Sequence, residues 1–380
     1  MDARTIVTGG AGFIGSHLVR LLVDRGERVR VVERPGPDVA HLPPEVEVVR
    51  ADIRDREAVA EAMTGARAVY HLAANPNLWV RDRREFAAVN HRGTIHVLDA
   101  ARAAGAERIL HTSTESILTC ARLTGPIAED VEVGLEDAVG PYCRSKLEAE
   151  NEAMARARAG WPVVVANPTM PVGPGDLGMS PPSRLIRDFC LGKLPARMDC
   201  TLNLIDVRDV AEGLIRTMER GRPGRRYLLG GENFTLVGML GILSELTGVP
   251  VPRWSVPYPF GLAVAYVSEW VADHLTGKTP KATVTGVRLT RRTMHFDASR
   301  SLAELGLTPR PVAGSLADAV AWLRATGQGP GPTPDGRPQL LSRKRSSPTA
   351  PGGSIRPASA PSPSSRPARD GASAPSRAAP

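Results

Sequence analysis

The chain has 380 residues, 42% hydrophobic and 23% charged, enough to bury a full core in one large or two smaller domains. Its net charge of +8 invites a nucleic-acid reading. However, residues 328–380 hold eight Arg/Lys against two Asp, so they carry +6 and leave +2 for the first 327, which argues against a nucleic-acid partner. Four cysteines, Cys120, Cys143, Cys190 and Cys200, show no CxxC spacing, so neither a zinc site nor a disulfide framework is indicated. No secretory leader fits the N-terminus, and a cytoplasmic protein is expected.

The first element is a short apolar run, Thr5-Ile6-Val7, followed by Thr8-Gly9-Gly10-Ala11-Gly12-Phe13-Ile14-Gly15. Apolar residues then recur at helical spacing through Ser16 to Leu22. Strand, glycine-rich turn and helix together turn a glycine pattern into a dinucleotide-binding signal. Gly9 suits a tight turn, Gly12 lets the main chain approach a pyrophosphate, and Gly15 lets helix and strand lie close. The helix N-terminus, at Phe13 and Ile14, offers free N–H groups to the anion.

Further strands are expected at Val29–Val32, Val46–Val49, Ala66–Leu72, Arg108–Thr112 and Pro162–Ala166. Helices are expected between them, including Val89–Gly105 and Cys143–Gly160. The alternation predicts an α/β fold, a doubly wound parallel sheet of the Rossmann type spanning 1–166. Beyond Asn167 the chain turns irregular and proline-rich, which suits a smaller substrate lobe over 167–327, with about 203–232 returning to the main domain. Phe260–Val267 is too short to span a bilayer and reads as a buried helix. Leu316–Ala325 reads as a last amphipathic helix. Residues 328–380, rich in Pro, Ser, Ala and Gly and without an aromatic residue, are expected to form a disordered tail.

Tyr142-Cys143-Arg144-Ser145-Lys146 places a tyrosine and a lysine at i, i+4, on one helical face. Tyrosine, with a reference pKa of about 10, is a poor base at neutral pH unless a nearby ammonium favours the phenolate. Such a tyrosine removes a proton from a carbinol as hydride leaves, or gives one to a carbonyl as hydride arrives. A hydroxyl at the end of the fifth strand is expected to hold the reacting oxygen; Thr112-Ser113-Thr114-Glu115-Ser116 sits there.

The ordered set Gly-x-x-Gly-x-x-Gly, Asp52-Ile53, His71-Leu72-Ala73-Ala74, Asn90, Ser113-Thr114, Tyr142-x-x-x-Lys146 and Asn167–Pro174 resembles that of the extended short-chain dehydrogenases/reductases. Asn203–Ala211 and Tyr227–Asn233 are most similar to the hopanoid-associated sugar epimerases and their dihydroflavonol-4-reductase-like neighbours. The resemblance covers residues 4 to 325 and implies Tyr142 as acid/base and Lys146 as its electrostatic partner and ribose ligand. It implies Thr114 as the hydroxyl, with Ser113 and Ser116 as rivals. Asp52 and Ile53 would hold the adenine, and Leu72, Ala73 and Ala74 would line the nicotinamide side; Asn90 and Asn167 fall in the same cofactor set. A plain turn role also suits Asp52. Glu33 after the second strand suits the ribose of NAD, and Arg34 beside it suits the phosphate of NADP; NAD is favoured. A homodimer is implied by the resemblance alone.

Two departures argue against a nucleotide-sugar substrate. Ser116-Ile117-Leu118-Thr119 stands where Val-Tyr-Gly is usual, and Leu202 stands where an arginine would meet a diphosphate. Arg288, Arg291 and Arg292 are the alternative cations. Thr114-Glu115-Ser116 only partly echoes a dehydratase triplet. No metal is expected: His91 and His96 do not share a helical face. The expected activity is NAD(P)-dependent oxidation or reduction of a small-molecule alcohol or ketone, with sugar epimerisation and a non-catalytic nucleotide-binding role as alternatives.

Overall fold

In a computed structural model, residues 3–329 are described; the expected tail at 328–380 lies almost wholly outside them. Seven parallel strands form the main sheet: β1 (Arg4–Thr8), β2 (Val29–Glu33), β3 (Glu47–Arg50), β4 (Ala66–His71), β5 (Arg108–Thr112), β6 (Val163–Pro168) and, farther along the chain, Arg226–Leu229. Their order is β3-β2-β1-β4-β5-β6 and then the late strand, every pair parallel. The order reverses between β1 and β4, and ligands of such sheets bind beyond the strand ends at that point.

The strands read as continuous apolar runs because both sheet faces are covered. Successive side chains point to opposite faces, and the two cores follow that alternation. Val7, Val31, Tyr70, Leu110 and Val164 join the core under the helices Phe13–Asp24 and Val207–Arg220. Ile6, Val32, Val69, Ile109 and Val163 join the opposite core, under Thr94–Ala103 and Gly140–Arg158. The expected helix from Val89 begins earlier, at Arg84, and is π-helical over Ala87–Gly93.

After β6 the chain passes through Thr169 into β7 (Met170–Val172), which pairs with β8 (Thr201–Asp206) in a separate three-stranded sheet completed by Glu232–Thr235. Helices Pro181–Cys190, Leu236–Thr247 and Val312–Ala325 cover that sheet around Phe189, Leu204, Leu240 and Leu316. The stretch expected to return to the main domain thus divides. Its strand β8 and Glu232–Thr235 belong to the small sheet, while the Val207–Arg220 helix and the Arg226–Leu229 strand rejoin the large one.

One expectation fails outright. The apolar helix around Phe260–Val267 is not buried: within Tyr258–Val271 only Gly261 and Ala265 are, and Phe260, Val264, Tyr266 and Val267 face solvent. Its apolar content reflects an uncovered face rather than the core. Among the described residues no helix is long and apolar enough to cross a membrane.

Candidate functional site

The site gathers at the carboxyl ends of β1, β4, β5 and β6. Gly9 leaves β1 at φ +70°, and a Cβ there would lie 2.8 Å from the backbone of Ala73. A Cβ on Gly15 would lie 2.2 Å from the carbonyl oxygen of Gly9. The two glycines therefore let the turn close between β4 and the first helix turn. Gly12 caps the helix without a side-chain oxygen, so the first-turn N–H groups of Phe13 and Ile14 stay open to an anion. The cradle fits a dinucleotide's pyrophosphate.

Glu33, half-buried at the end of β2, accepts from the Ala11 N–H at 3.2 Å, so its carboxylate is fixed on the glycine turn. Arg34 is exposed and holds Arg50 through its carbonyl. Asp52 is engaged by Arg54 through Nε at 3.0 Å and Nη2 at 2.6 Å, and that pairing lowers its pKa. It also accepts from the Arg54 N–H, the turn geometry a short acid favours. The Ile53 side chain is buried in the core, where a Cβ on Gly93 would meet it at 2.7 Å; only its backbone is left for a ligand. Leu72, Ala73 and Ala74 run half-buried out of β4, with Ala73 N–H donating to the Thr8 hydroxyl at 3.2 Å.

Asn90 sits in the π-helical segment, fully buried, with its amide taken by protein. Its Oδ1 accepts from Asn75 N–H at 2.7 Å, and its Nδ2 donates to Asn75 O and to Ser145 Oγ. It ties the segment after β4 to the helix that carries Tyr142. Asn167 is buried too: its Nδ2 donates to Glu150 at 2.7 Å and to Thr114 O at 3.1 Å, and its Oδ1 has no partner among the described residues. The hydroxyls of Thr112 and Ser113 are likewise buried and unpartnered. A group with hydroxyls and an amide, such as the nicotinamide ribose end, would meet such atoms.

Tyr142 and Lys146 lie in the Gly140–Arg158 helix, whose start is bound to the end of β5. Lys146 is 4% exposed, and its Nζ donates to Thr112 O at 2.8 Å. Burial brings its pKa down to about 8, with Glu150 one turn on opposing the shift. One of its three N–H donors is used there, leaving others for a ribose. Tyr142 is half-buried and edge-on to Phe86 at 6.2 Å. Desolvation, with Cys143 and Glu115, pushes its phenol above the ordinary value, and the Thr114 hydroxyl acts the other way. Lys146 together with an oxidised nicotinamide was expected to lower the phenol's pKa; in this structure the ammonium donates to the Thr112 carbonyl, and burial sets the direction of the phenol's shift.

The Thr114 hydroxyl donates to Glu115 at 2.7 Å and lies 3.2 Å from Ser116 Oγ. Glu115 entered the sequence reading only as a partial echo of a dehydratase triplet, yet burial pushes its carboxyl up to about 6 beside Thr114 and Tyr142. Its place next to Thr114 was the available signal. His71, quoted only within the His71-Leu72-Ala73-Ala74 run, and His111 were given no role of their own. His71 bridges Thr8 at 2.7 Å and Thr94 at 2.9 Å, and burial lowers its pKa to about 3.

The position of the missing diphosphate arginine, Leu202, is 8% exposed and packs in the apolar core of the small sheet with Val172, Phe189 and Leu236. The alternative cations are spent at the surface: Arg288 donates to Tyr266 OH at 2.8 Å, Arg291 lies over the Tyr258 ring, and Arg292 reaches Asp137 O. Among the described residues no cluster of His, Cys, Asp and Glu is arranged to hold a metal.

Known proteins resemble this chain along most of its length. A dihydroflavonol 4-reductase-like protein of Synechocystis sp. is 37% identical over 328 residues, covering 84% of this chain and 94% of its own. Sterol demethylase protein B of Methylococcus capsulatus is 35% identical over 325 residues, covering 85% and 99%. The crystal structure of gox2253 superposes with a TM-score of 0.77 at 34% identity, covering 87% of this chain and all of that one. Residues 5–230 match the model of the NAD dependent epimerase/dehydratase family. With that match and relatives of this identity along most of its length, the chain belongs to the NAD dependent epimerase/dehydratase family.

Proposed function

We propose that the protein is an NAD-dependent oxidoreductase that reduces a ketone of a modest-sized, largely apolar molecule to a secondary alcohol. The observation that carries this reading is the placing of the Tyr142 phenol beside the Thr114 hydroxyl, at the strand ends next to the glycine cradle. The dinucleotide, when bound, supplies the hydride to the carbonyl carbon. The chain's own residues do the rest. The Thr114 hydroxyl, turned from Glu115 by the substrate, donates a hydrogen bond to the carbonyl oxygen, and Tyr142 gives that oxygen its proton as charge builds there. Lys146, positively charged below about pH 8, stabilises the phenolate left behind.

Glu33 supports NAD over NADP, because its fixed carboxylate suits a ribose hydroxyl and repels a 2′-phosphate. The buried Leu202 supports an apolar substrate, since a diphosphate there would lack a cation. The two full-length relatives, named for a flavonol-type reductase and for sterol processing, point to the same substrate class. Epimerisation of a sugar uses the same triad without net redox change.

The test is stoichiometry. The protein is incubated with NADH and polycyclic or aromatic ketones and, separately, with NAD+ and nucleotide sugars. Loss of reduced-nicotinamide absorbance matched one-to-one by alcohol formed from a ketone is the expected result. Inversion of a sugar centre at constant absorbance would establish the epimerase instead.

A further inference from the structure

The Tyr258–Val271 helix leaves its apolar side uncovered. Ten large hydrophobic residues are exposed among the described residues, and seven of them fall between Trp254 and Leu275. Trp254 is 77% exposed, Leu275 70% and Phe260 64%. Phe260, Val264, Val267 and Trp270 recur at helical spacing on one face, opposite the buried Gly261 and Ala265. Beside this face lies an open groove of about 550 Å³ lined by Val264, Val267, Val271, Thr276, Lys278 and Lys281. Contiguous apolar surface of this kind marks a binding face.

The charges on this stretch are mostly basic, with one exposed acid from a neighbouring segment, Asp199, accepting from Ser255 at its edge. Between Val251 and Arg292 there are six cations, Arg253, Lys278, Lys281, Arg288, Arg291 and Arg292, and two acids. Both acids turn inward: Glu269 pairs with Arg83 at 3.3 Å, and Asp273 pairs with the same guanidinium at 3.0 Å. The outer side is therefore apolar and basic, with aromatic rings among the exposed residues. Two occupants fit it poorly. The chain beyond residue 329 carries a net +6 and no aromatic residue, so its charge repels this face. A second copy docked through the same face would bring its lysines and arginines together with few acids to meet them.

We infer that this helix and the turn after it dock on an anionic phospholipid surface, with Phe260, Val267 and Trp270 entering the acyl boundary and Lys278 and Lys281 meeting lipid phosphates. Apolar residues with basic flanks lie in the bilayer interface in this way, and anionic lipid strengthens the contact. The helix is also joined to the segment that follows the nicotinamide-side residues: Trp79 Nε1 donates to Asp273 at 3.1 Å, and Arg83 pairs with both helix acids. Docking would thus hold that segment near the lipid.

The test is cosedimentation of the full chain with vesicles of phosphatidylcholine alone and of phosphatidylcholine mixed with phosphatidylglycerol. Binding to the mixed vesicles, at least about tenfold weaker to the neutral ones and weakened by salt, is expected. Val267→Ser with Trp270→Ser, and separately Lys278→Glu with Lys281→Glu, should each cut binding about tenfold while circular dichroism and NADH binding stay unchanged. The second pair touches only exposed side chains, so the test survives if the first pair misfolds. No binding, equal binding to both vesicles, or binding kept by both variant pairs would overturn the inference; the last result would place the contact on the basic C-terminal segment. A dimer that falls apart in the Val267/Trp270 variant would overturn it in favour of a self-contact. None of these results bears on the reductase reading, which rests on other residues.

Discussion

His71 sits where β4 ends, held between two threonine hydroxyls, and it is kept neutral by burial. Its folded pKa is about 3 against an ordinary 6.5, so the unfolded chain binds the extra proton in that interval. Stability from this group is therefore present above pH 6.5 and is lost as pH falls toward about 3. His111, 5.5 Å away and also shifted down by burial, adds to the same slope. Urea midpoints measured across that range should fall with acidification, and His71→Asn should flatten the fall in part. An unchanged slope in the variant would contradict this account. The sequence around His71 matched the family's His-Leu-Ala-Ala run, but nothing in one residue's identity tells that two strand-end threonines will flank it. The environment of Glu115 was hidden for the same reason: it comes from burial at the end of β5, not from spacing.

At the level of elements, the strands were the most legible feature. Valine- and isoleucine-rich runs predicted each of the first six within two residues or so, because a sheet covered on both faces leaves few polar positions to blur the pattern. Helix boundaries were less clear, and the π-helical turn that places Asn90 was invisible, since one extra residue per turn leaves the composition unchanged. The exposed helix at Tyr258–Val271 was misread because an apolar run has the same composition whether or not something covers it. The Gly140–Arg158 helix is fastened to β6 and the late strand by a buried relay that the sequence also hid. Glu150, with no exposed side-chain surface, accepts from Arg226 Nε at 2.7 Å and from Asn167 Nδ2 at 2.7 Å. Removing the cation strands a buried carboxylate, so Arg226→Leu should lower the unfolding free energy by about 3 kcal/mol. The double variant Arg226→Leu with Glu150→Leu should recover part of that loss. A cost below about 1 kcal/mol for the single change, read from denaturant midpoints, would mean the pair is solvated.

On the scale of the whole molecule, the sheet order places two halves of one site side by side. The glycine turn comes from β1 and its helix, and the proposed proton donor, Tyr142, comes from the helix between β5 and β6, some 130 residues later in the chain. The strand–turn–helix pattern pointed to the first half of the proposed site, and Tyr-x-x-x-Lys to the second. Their meeting required the topology, in which parallel crossovers bring every strand's carboxyl end to one edge. The substrate side was read only through absences, at Leu202 and at Ser116–Thr119, because the small sheet's apolar core has no motif of its own. If the two halves act as described, binding and chemistry are separable. The direct measurement is Tyr142→Phe, with NADH affinity read by fluorescence and ketone reduction read by kcat. The account predicts unchanged affinity and a kcat lower by about 10² to 10⁴. Retention of most of the turnover would contradict the assignment of Tyr142 as the proton donor.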